Sequence, residues 1–160
     1  MNLDNLRVKE YSGKGSSYKV DGIIKKNHYL HSVPDAPAKH RYLITFGLKG
    51  IVGAAVWGKP IARNEDQEKT IELLRFWTSN KTPKNTESKA LGKMMRDMKN
   101  KGYERCIAYS STGQKHDGTI YKATNWKEIS RTGKSKGWTN RPNRKDRDTS
   151  SKIKFEKIFN

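Results

Sequence analysis

The stretch from Tyr109 to Trp126 carries the densest group of side chains suited to chemistry. It begins with hydroxyls, Ser110 among them, and contains the adjacent pair His116 and Asp117. His116 is a candidate general base, with the alternative that it only lines a loop. Tyr121 falls on a predicted short helix after this loop, from which it would point back toward the loop. Because ligands bind beyond the ends of the strands in α/β sheets, we expect a polar site in this loop.

Arg75 is a second candidate, because it interrupts an otherwise apolar face of a predicted strand over residues 70–78. Side chains alternate between the two faces of a strand. The other members of the face that holds Arg75 are Ile71, Leu73 and Trp77. A buried or half-buried arginine needs an anion, which is either a ligand phosphate or a carboxylate of the fold, from Glu72 or Asp97.

The start of the next predicted helix could cradle a phosphate. Backbone N–H groups at a helix start, with hydroxyls beside them, bind pyrophosphate. Asn85, Thr86 and Ser88 supply this pattern, and the alternative is ordinary capping of the helix by Asn85 or Thr86.

His28 and His31 lie one helical turn apart and, with His116 or Asp35, could ligate a metal. Two histidines at this spacing are thin evidence, and no cysteine-rich or HExxH pattern adds to it. The sequence therefore predicts no metal site, although it does not rule out a metal.

The chain of 160 residues has a formal net charge of +18, far more than solubility requires. Such an excess favours a polyanionic partner, and nucleic acid is the expected one, against the alternative of a solvated basic surface. Residues 130–160 alone carry a net charge of +7. The expected nucleic-acid-binding residues are Arg131, Lys134, Lys136, Trp138, Arg141 and Arg144.

Composition sets further bounds. Hydrophobic residues make up 32% of the chain, which is enough for the lean core of one domain over residues 1–160, with a basic loop at about 131–152. No apolar run approaches the roughly 18–20 residues of a membrane span. The polar first 19 residues lack the apolar stretch of a secretory signal, and the single cysteine, Cys106, excludes an intramolecular disulfide. We therefore expect a cytoplasmic protein without a membrane partner.

The elements that must position these residues follow from periodicity and turn signals. The predicted order is strand, helix, hairpin, strand, helix, strand, helix, strand, strand, which is typical of a mixed α/β fold. Asp21 is expected to cap the first helix, which would end before Pro34. The second helix, over residues 87–100, has an apolar stripe of Ala90, Leu91, Met94, Met95 and Met98.

Several segments resemble the phage Mom DNA-modification proteins in residues, order and spacing, over about residues 20–142. The most specific runs from His116 to Trp126, and Pro83 to Ser88 is next; residues 27–30, 71–79 and 109–110 also match. This family is similar to the Gcn5-related N-acetyltransferase fold. The resemblance therefore implies one α/β (α+β) domain, with a mixed, mostly antiparallel sheet flanked by helices.

The resemblance also implies an activity. The family converts adenine in phage DNA to an N6-methylcarbamoyl form, which hides the DNA from host restriction endonucleases. Acetyl-CoA or another acyl donor would lie along the strand and the helix start, with Tyr121 near its reacting end.

The expected catalytic residues are Tyr121, His116, Asp117, Arg75, Ser110 and His28. The expected donor-binding residues are Phe76, Trp77, Thr78, Asn85, Thr86, Ser88 and Asn125. Acetyltransferases usually carry Arg/Gln-x-x-Gly-x-Gly/Ala at the helix start, whereas this chain has Asn-Thr-Glu-Ser at 85–88.

An adenine amine inside a duplex is out of reach, so the target base must leave the stack or be single-stranded. Candidates to stack on such a base are Trp57, Trp77, Trp126 and Trp138. Two other functions stay open at this point. One is acetylation of another amine, on a modified DNA pyrimidine, a small molecule or a protein; the other is nucleic-acid binding without chemistry. A homodimer also stays open.

Overall fold

The chain builds a seven-stranded sheet with helices on both faces. The computed structural model describes residues 1–11, 15–28, 38–111, 118–132 and 151–159. The strands are β1 (Leu6–Glu10), β2 (Ala38–Phe46), β3 (Ile51–Gly58), β4 (Thr70–Thr78), β5 (Arg105–Ser111), β6 (Lys127–Thr132) and β7 (Lys152–Ile158). The helices are α1 (Ser16–Asn27), α2 (Thr86–Asn100) and α3 (Thr119–Ala123).

The strands are ordered β1-β2-β3-β4-β5-β7-β6. β4 and β5 are parallel, and all the other neighbours are antiparallel. The predicted order of elements and the mixed, mostly antiparallel sheet are therefore confirmed. Among the described helices, none is long and apolar enough to span a membrane.

The first helix differs from its prediction. It begins at Ser16, so Asp21 lies inside the helix and does not cap it. The Arg41 guanidinium on β2 donates to the Asp21 carboxylate, with 3.0 Å between Nε and Oδ1. A partner from a distant strand thus uses the carboxylate that the sequence pattern assigned to a local cap.

The main core lies between the sheet and α2. All five members of the predicted stripe are buried, and the helix ends before Gly102, which has φ +97°. The four larger members of the stripe pack on Trp57, Ile71 and Phe155, and the Trp57 indole donates to the Met94 sulfur at 3.3 Å. Each such side chain contributes about 1.5–3 kcal/mol on burial. Trp57 is fully buried here, so it cannot stack on a DNA base as the sequence suggested.

A smaller core covers the opposite face of the sheet. Val20 and Ile24 of α1 pack on Ala54, Val56 and Leu74. The sheet is therefore held between α1 on one face and α2 on the other, and its central strands are buried on both sides.

Candidate active site

A cleft of about 730 Å³ opens where β4 and β5 part. The two strands pair in parallel only as far as Leu73 opposite Ala108, although β4 continues to Thr78 and β5 to Ser111. Beyond that point the edge of β4 faces the cleft, which the end of α1, the β3–β4 loop and α3 complete. Such a gap at the carboxyl ends of parallel strands is where ligands bind in α/β sheets.

A bulge in β4 decides which side chains reach this cleft. Leu73 pairs with Trp57 and Arg75 pairs with the adjacent Val56, so Leu74 is one extra residue in β4. A bulge shifts the alternation of faces by one position. The face predicted to hold Ile71, Leu73, Arg75 and Trp77 is therefore split, and that prediction is wrong. Ile71 and Leu73 lie in the α2-side core, whereas Arg75 and Trp77 lie opposite Val56 and Ala54 of the α1-side core.

Arg75 lines the cleft and is half-buried. Its Nη1 donates to the carbonyl oxygen of Leu74 at 2.7 Å, so the guanidinium is anchored on the bulge. Glu72, on the same strand, interacts favourably with the Arg75 charge. Asp97, the other carboxylate considered from the sequence, accepts a hydrogen bond from Tyr42 and lies 3.8 Å from Lys101.

Glu72 is a functional candidate that the sequence reasoning considered only as an ion-pair partner. It lines the cleft with 4% of its surface exposed, and it accepts the backbone N–H of Ile61 at 3.2 Å. Burial raises the pKa of this carboxyl to about 7, and the charges of Lys154 and Arg75 offset only part of that rise. A carboxyl with such a pKa can take up a proton at neutral pH. The sequence offered one signal for this residue, which is an acidic side chain within an otherwise mostly apolar strand.

Tyr121 reaches the cleft from α3. Its ring stacks on Phe155 at 5.0 Å and contacts Trp126 at 5.2 Å between centroids. Gly118, which precedes α3, has φ +83°, and a Cβ there would lie 2.2 Å from the Phe155 ring. The close approach of this backbone to Phe155 therefore positions the helix that carries Tyr121.

His28 and Ser110 also line the cleft, and both are buried. His28 ends α1, where its backbone N–H donates to Ile24 at 2.9 Å. Within the described part of the chain, no three His, Cys, Asp or Glu side chains come together as metal ligands. His31, Asp35 and His116, the other ligands considered from the sequence, lie outside the described residues.

The start of α2 differs in detail from the expected phosphate cradle. Asn85 has φ +71°, and no side chain caps the helix. Thr86 donates to the Pro83 carbonyl at 2.7 Å, and Ser88 donates to that of Asn85 at 3.2 Å, so both hydroxyls serve the turn. Glu87 lines the cleft instead, and accepts the Thr78 hydroxyl at 2.7 Å. The predicted strand residues Phe76, Trp77 and Thr78 line the cleft, whereas Asn85, Thr86 and Ser88 do not.

The remaining predicted residues fall elsewhere. Asn125 is exposed, with φ +65°, in the turn after α3, and it does not line the cleft. Trp126 is buried against Tyr121. Arg131 is exposed on β6 and pairs with Glu128. The predicted residues His116, Asp117, Lys134, Lys136, Trp138, Arg141 and Arg144 lie outside the described residues.

The fold has many solved relatives. A ribosomal-protein-S5-alanine acetyltransferase from Vibrio fischeri matches with a TM-score of 0.66 and 11% identity, over 99% of this chain and 95% of that chain. A GNAT family acetyltransferase from Elizabethkingia anophelis, solved with acetyl-CoA bound, matches with a TM-score of 0.62 and 15% identity, over 98% and 99%. One of the GNAT family from Streptococcus pneumoniae has a TM-score of 0.66 and 9% identity, over 97% and 99%. The fold is that of the GNAT acetyltransferases.

The family follows from the sequence itself. The model of the Mom protein family matches residues 6–156, so the chain belongs to the Mom protein family. A comparison with curated proteins found no match.

Proposed function

We propose that this protein is a transferase that modifies the exocyclic amine of adenine in DNA, giving the N6-methylcarbamoyl form. The observation that carries the proposal is the cleft at the parting of β4 and β5, which Glu72 and Tyr121 line together in a protein of the Mom family. The net charge of +18 supports DNA as the partner. In an infected cell, the modification would protect phage DNA from host restriction enzymes.

The proton balance of this reaction assigns roles to the two side chains. When N6 of adenine forms its bond to the donor carbon, the amine must lose a proton, and the bond between that carbon and its leaving group breaks. The Glu72 carboxylate accepts the proton, because its pKa of about 7 leaves it partly ionised at neutral pH. The Tyr121 hydroxyl donates a proton to the leaving group. Arg75, at the bulge, holds an anionic group of the donor.

The cleft fits an extended donor along the edge of β4, and the carbon that N6 attacks is the CH2 of the transferred CH2CONH2 group. An edge that is not covered by a neighbouring strand presents its backbone polar groups to a ligand. The uncapped start of α2 favours an anion nearby, but the Glu87 carboxylate disfavours one. A donor that lies along this edge is elongated. If it is coenzyme A, its anionic phosphates would lie near the Glu87 carboxylate, which repels them.

Mass spectrometry of nucleosides tests the proposal. DNA is purified from bacteria that express the chain or its Glu72→Gln variant, and adenine derivatives are quantified. We expect a derivative in which CH2CONH2 replaces an N6 hydrogen, and its loss in the variant. DNA from the same cells should resist restriction enzymes whose sites contain adenine.

Other products of this experiment would change the assignment. An N6-acetyl derivative, or acetylation of another amine, would favour the second candidate, which the acetyltransferase fold supports. Unmodified DNA together with tight DNA binding would leave a binding module without chemistry.

A further inference from the structure

The loop between β3 and β4, residues 59–69, places an exposed isoleucine at the mouth of the cleft. Ile61 is 59% exposed, yet it lines the cleft together with Ala62. Its backbone N–H donates to the Glu72 carboxylate at 3.2 Å. Single exposed apolar residues are common on protein surfaces, so exposure alone argues nothing. The position of Ile61, one hydrogen bond away from the buried carboxyl, is what sets it apart.

The second half of this loop anchors the first half. The Glu65 backbone N–H donates to the Ala62 carbonyl at 3.2 Å, and the Gln67 amide donates to the same carbonyl at 3.2 Å. The Glu65 carboxylate forms ion pairs with Arg105, at 2.5 Å, and with Lys154. Ile61 is therefore presented from a loop whose backbone is held by neighbouring strands, as a residue that pushes against another molecule must be.

Two cations flank the isoleucine. Lys59 and Arg63 are both exposed, and within the described part of the chain neither forms an ion pair. The three acidic residues of the loop, Glu65, Asp66 and the exposed Glu68, lie beyond them. Glu65 is used in ion pairs, and Asp66 accepts the N–H groups of the turn at 2.8 and 3.1 Å. The cleft mouth thus offers an apolar side chain between two positive charges. This matches DNA, which has an apolar base stack between two rows of phosphates.

We propose that Ile61 is a wedge that enters the DNA base stack and fills the space left by the target base as that base turns into the cleft. This inference rests on the proposed function. An apolar side chain in the vacated space replaces part of the lost stacking and so lowers the cost of opening the duplex. Because the Ile61 backbone N–H donates a hydrogen bond to the Glu72 carboxylate, a base that leaves the stack beside Ile61 arrives close to that carboxylate. Lys59 and Arg63 hold the flanking phosphates.

Three variants test the wedge in cells. Ile61→Thr keeps the branched shape but removes the apolar end, Ile61→Leu keeps an apolar end, and Ile158→Thr makes the same change at a 56% exposed position of β7 that does not line the cleft. We expect Ile61→Thr to lower the fraction of modified adenine at least about tenfold, because duplex opening is lost, and the other two to stay within about threefold of the parent. Wild-type levels in Ile61→Thr, or equal loss in Ile61→Leu, would overturn the proposal.

Duplex opening is also measured directly with purified protein. 2-Aminopurine replaces each adenine of a duplex in turn, and its fluorescence reports unstacking, while anisotropy reports binding. The parent should change the fluorescence at one or more positions, and Ile61→Thr should bind within about threefold but leave the fluorescence unchanged. If the parent opens no position, or Ile61→Thr opens the duplex like the parent, Ile61 is no wedge. If the Ile61→Thr variant opens the duplex normally but modifies adenine poorly, Ile61 covers the donor and is not a wedge. Absence of modified adenine with the parent would instead contradict the proposed function.

Discussion

At the scale of single residues, burial sets the chemistry of Glu72. The carboxyl lies near the start of a central strand, where burial leaves its charge poorly solvated, so its pKa rises to about 7. Lys154 from β7 and Arg75 from β4 favour the ionised form, whereas Glu65 from the β3–β4 loop opposes it. The same surroundings that cost stability when the group ionises make it a proton acceptor near neutral pH.

This balance predicts how stability depends on pH. The folded pKa of about 7 lies above the usual glutamate pKa of 4.5, so the folded state keeps a proton that the unfolded chain releases. Stability from this group is therefore fully present below about pH 4.5 and is lost as the pH rises through 7, by about 1–3 kcal/mol. Urea denaturation at pH 5 and pH 8 should show that Glu72→Gln loses less stability than the parent over this range. Identical pH dependence in both proteins would contradict the burial argument.

Tyr121 carries a second prediction at this scale. Phenylalanine keeps the stacking on Phe155 and Trp126 but removes the hydroxyl. If that hydroxyl donates a proton, Tyr121→Phe should fold and bind DNA normally, yet lose base modification by roughly 10²-fold or more. Tyr11→Phe is the matched control, because Tyr11 does not line the cleft. Modified adenine per total adenine is the measurement, and parental levels would make Tyr121 a packing residue only.

At the scale of elements, the site is made by two strands that part and by the helix that follows one of them. β4 pairs with β5 over its first half, and the residues that follow the Leu74 bulge line the cleft. The α2 start lies beyond the end of β4, where Thr78 is bonded to Glu87. A donor lying along β4 would thus extend toward that carboxylate.

This arrangement predicts that Glu87 weakens the binding of coenzyme A. Glu87→Gln keeps an acceptor for the Thr78 hydroxyl but removes a negative charge at the helix start, where an anion would otherwise be stabilised. Calorimetry with acetyl-CoA should show affinity about fivefold higher than that of the parent. Glu104→Gln, an exposed change before β5, should have no effect. If both variants bind like the parent, the pyrophosphate of the donor does not lie at α2.

The approach of α3 to the sheet gives a stability prediction. Gly118→Ala places a methyl 2.2 Å from the Phe155 ring at a residue with φ +83°. We expect a loss of roughly 2–4 kcal/mol, from overpacking and from backbone strain. Gly92→Ala, inside α2 with no atom within 4 Å of the added Cβ, should instead stabilise the protein by about 0.5–1 kcal/mol. Thermal denaturation of the two variants measures both effects, and equal melting temperatures would refute the close packing of Gly118.

At the scale of the whole molecule, charge dominates. Each internal ion pair uses one basic and one acidic residue, so ion pairing within the protein does not reduce the net charge of +18. A surface of this kind attracts a polyanion over distances of about a Debye length. DNA binding should therefore rest mainly on phosphates, with sequence read only at the site.

Salt dependence checks this expectation. With about 6–10 phosphate contacts, affinity for a duplex should fall roughly 10³–10⁵-fold between 50 and 200 mM salt. Binding releases cations that are condensed on the DNA, and this release becomes less favourable as the salt concentration rises. Fluorescence anisotropy of a labelled duplex at several salt concentrations gives the slope. An affinity that does not change with salt would exclude phosphates as the main contacts.

The sequence by itself determined the order of the elements, the buried stripe of α2 and the charge. These depend on periodicity, turn residues and composition, which act over a few neighbouring residues. It also singled out Arg75, which interrupts an apolar face, and Tyr121, which lies on the helix after the hydroxyl-rich loop, and both line the cleft.

Only the tertiary structure decided which faces and partners those residues have. Strict alternation placed Arg75 with Ile71 and Leu73, but pairing with β3 inserts Leu74 as a bulge and reverses the faces beyond it. Asp21 suited a helix cap until Arg41 from a distant strand reached it. Glu72 has a raised pKa because strands and a loop far apart in sequence bury it. Register, burial and long-range pairing depend on the whole chain, so no local pattern could supply them.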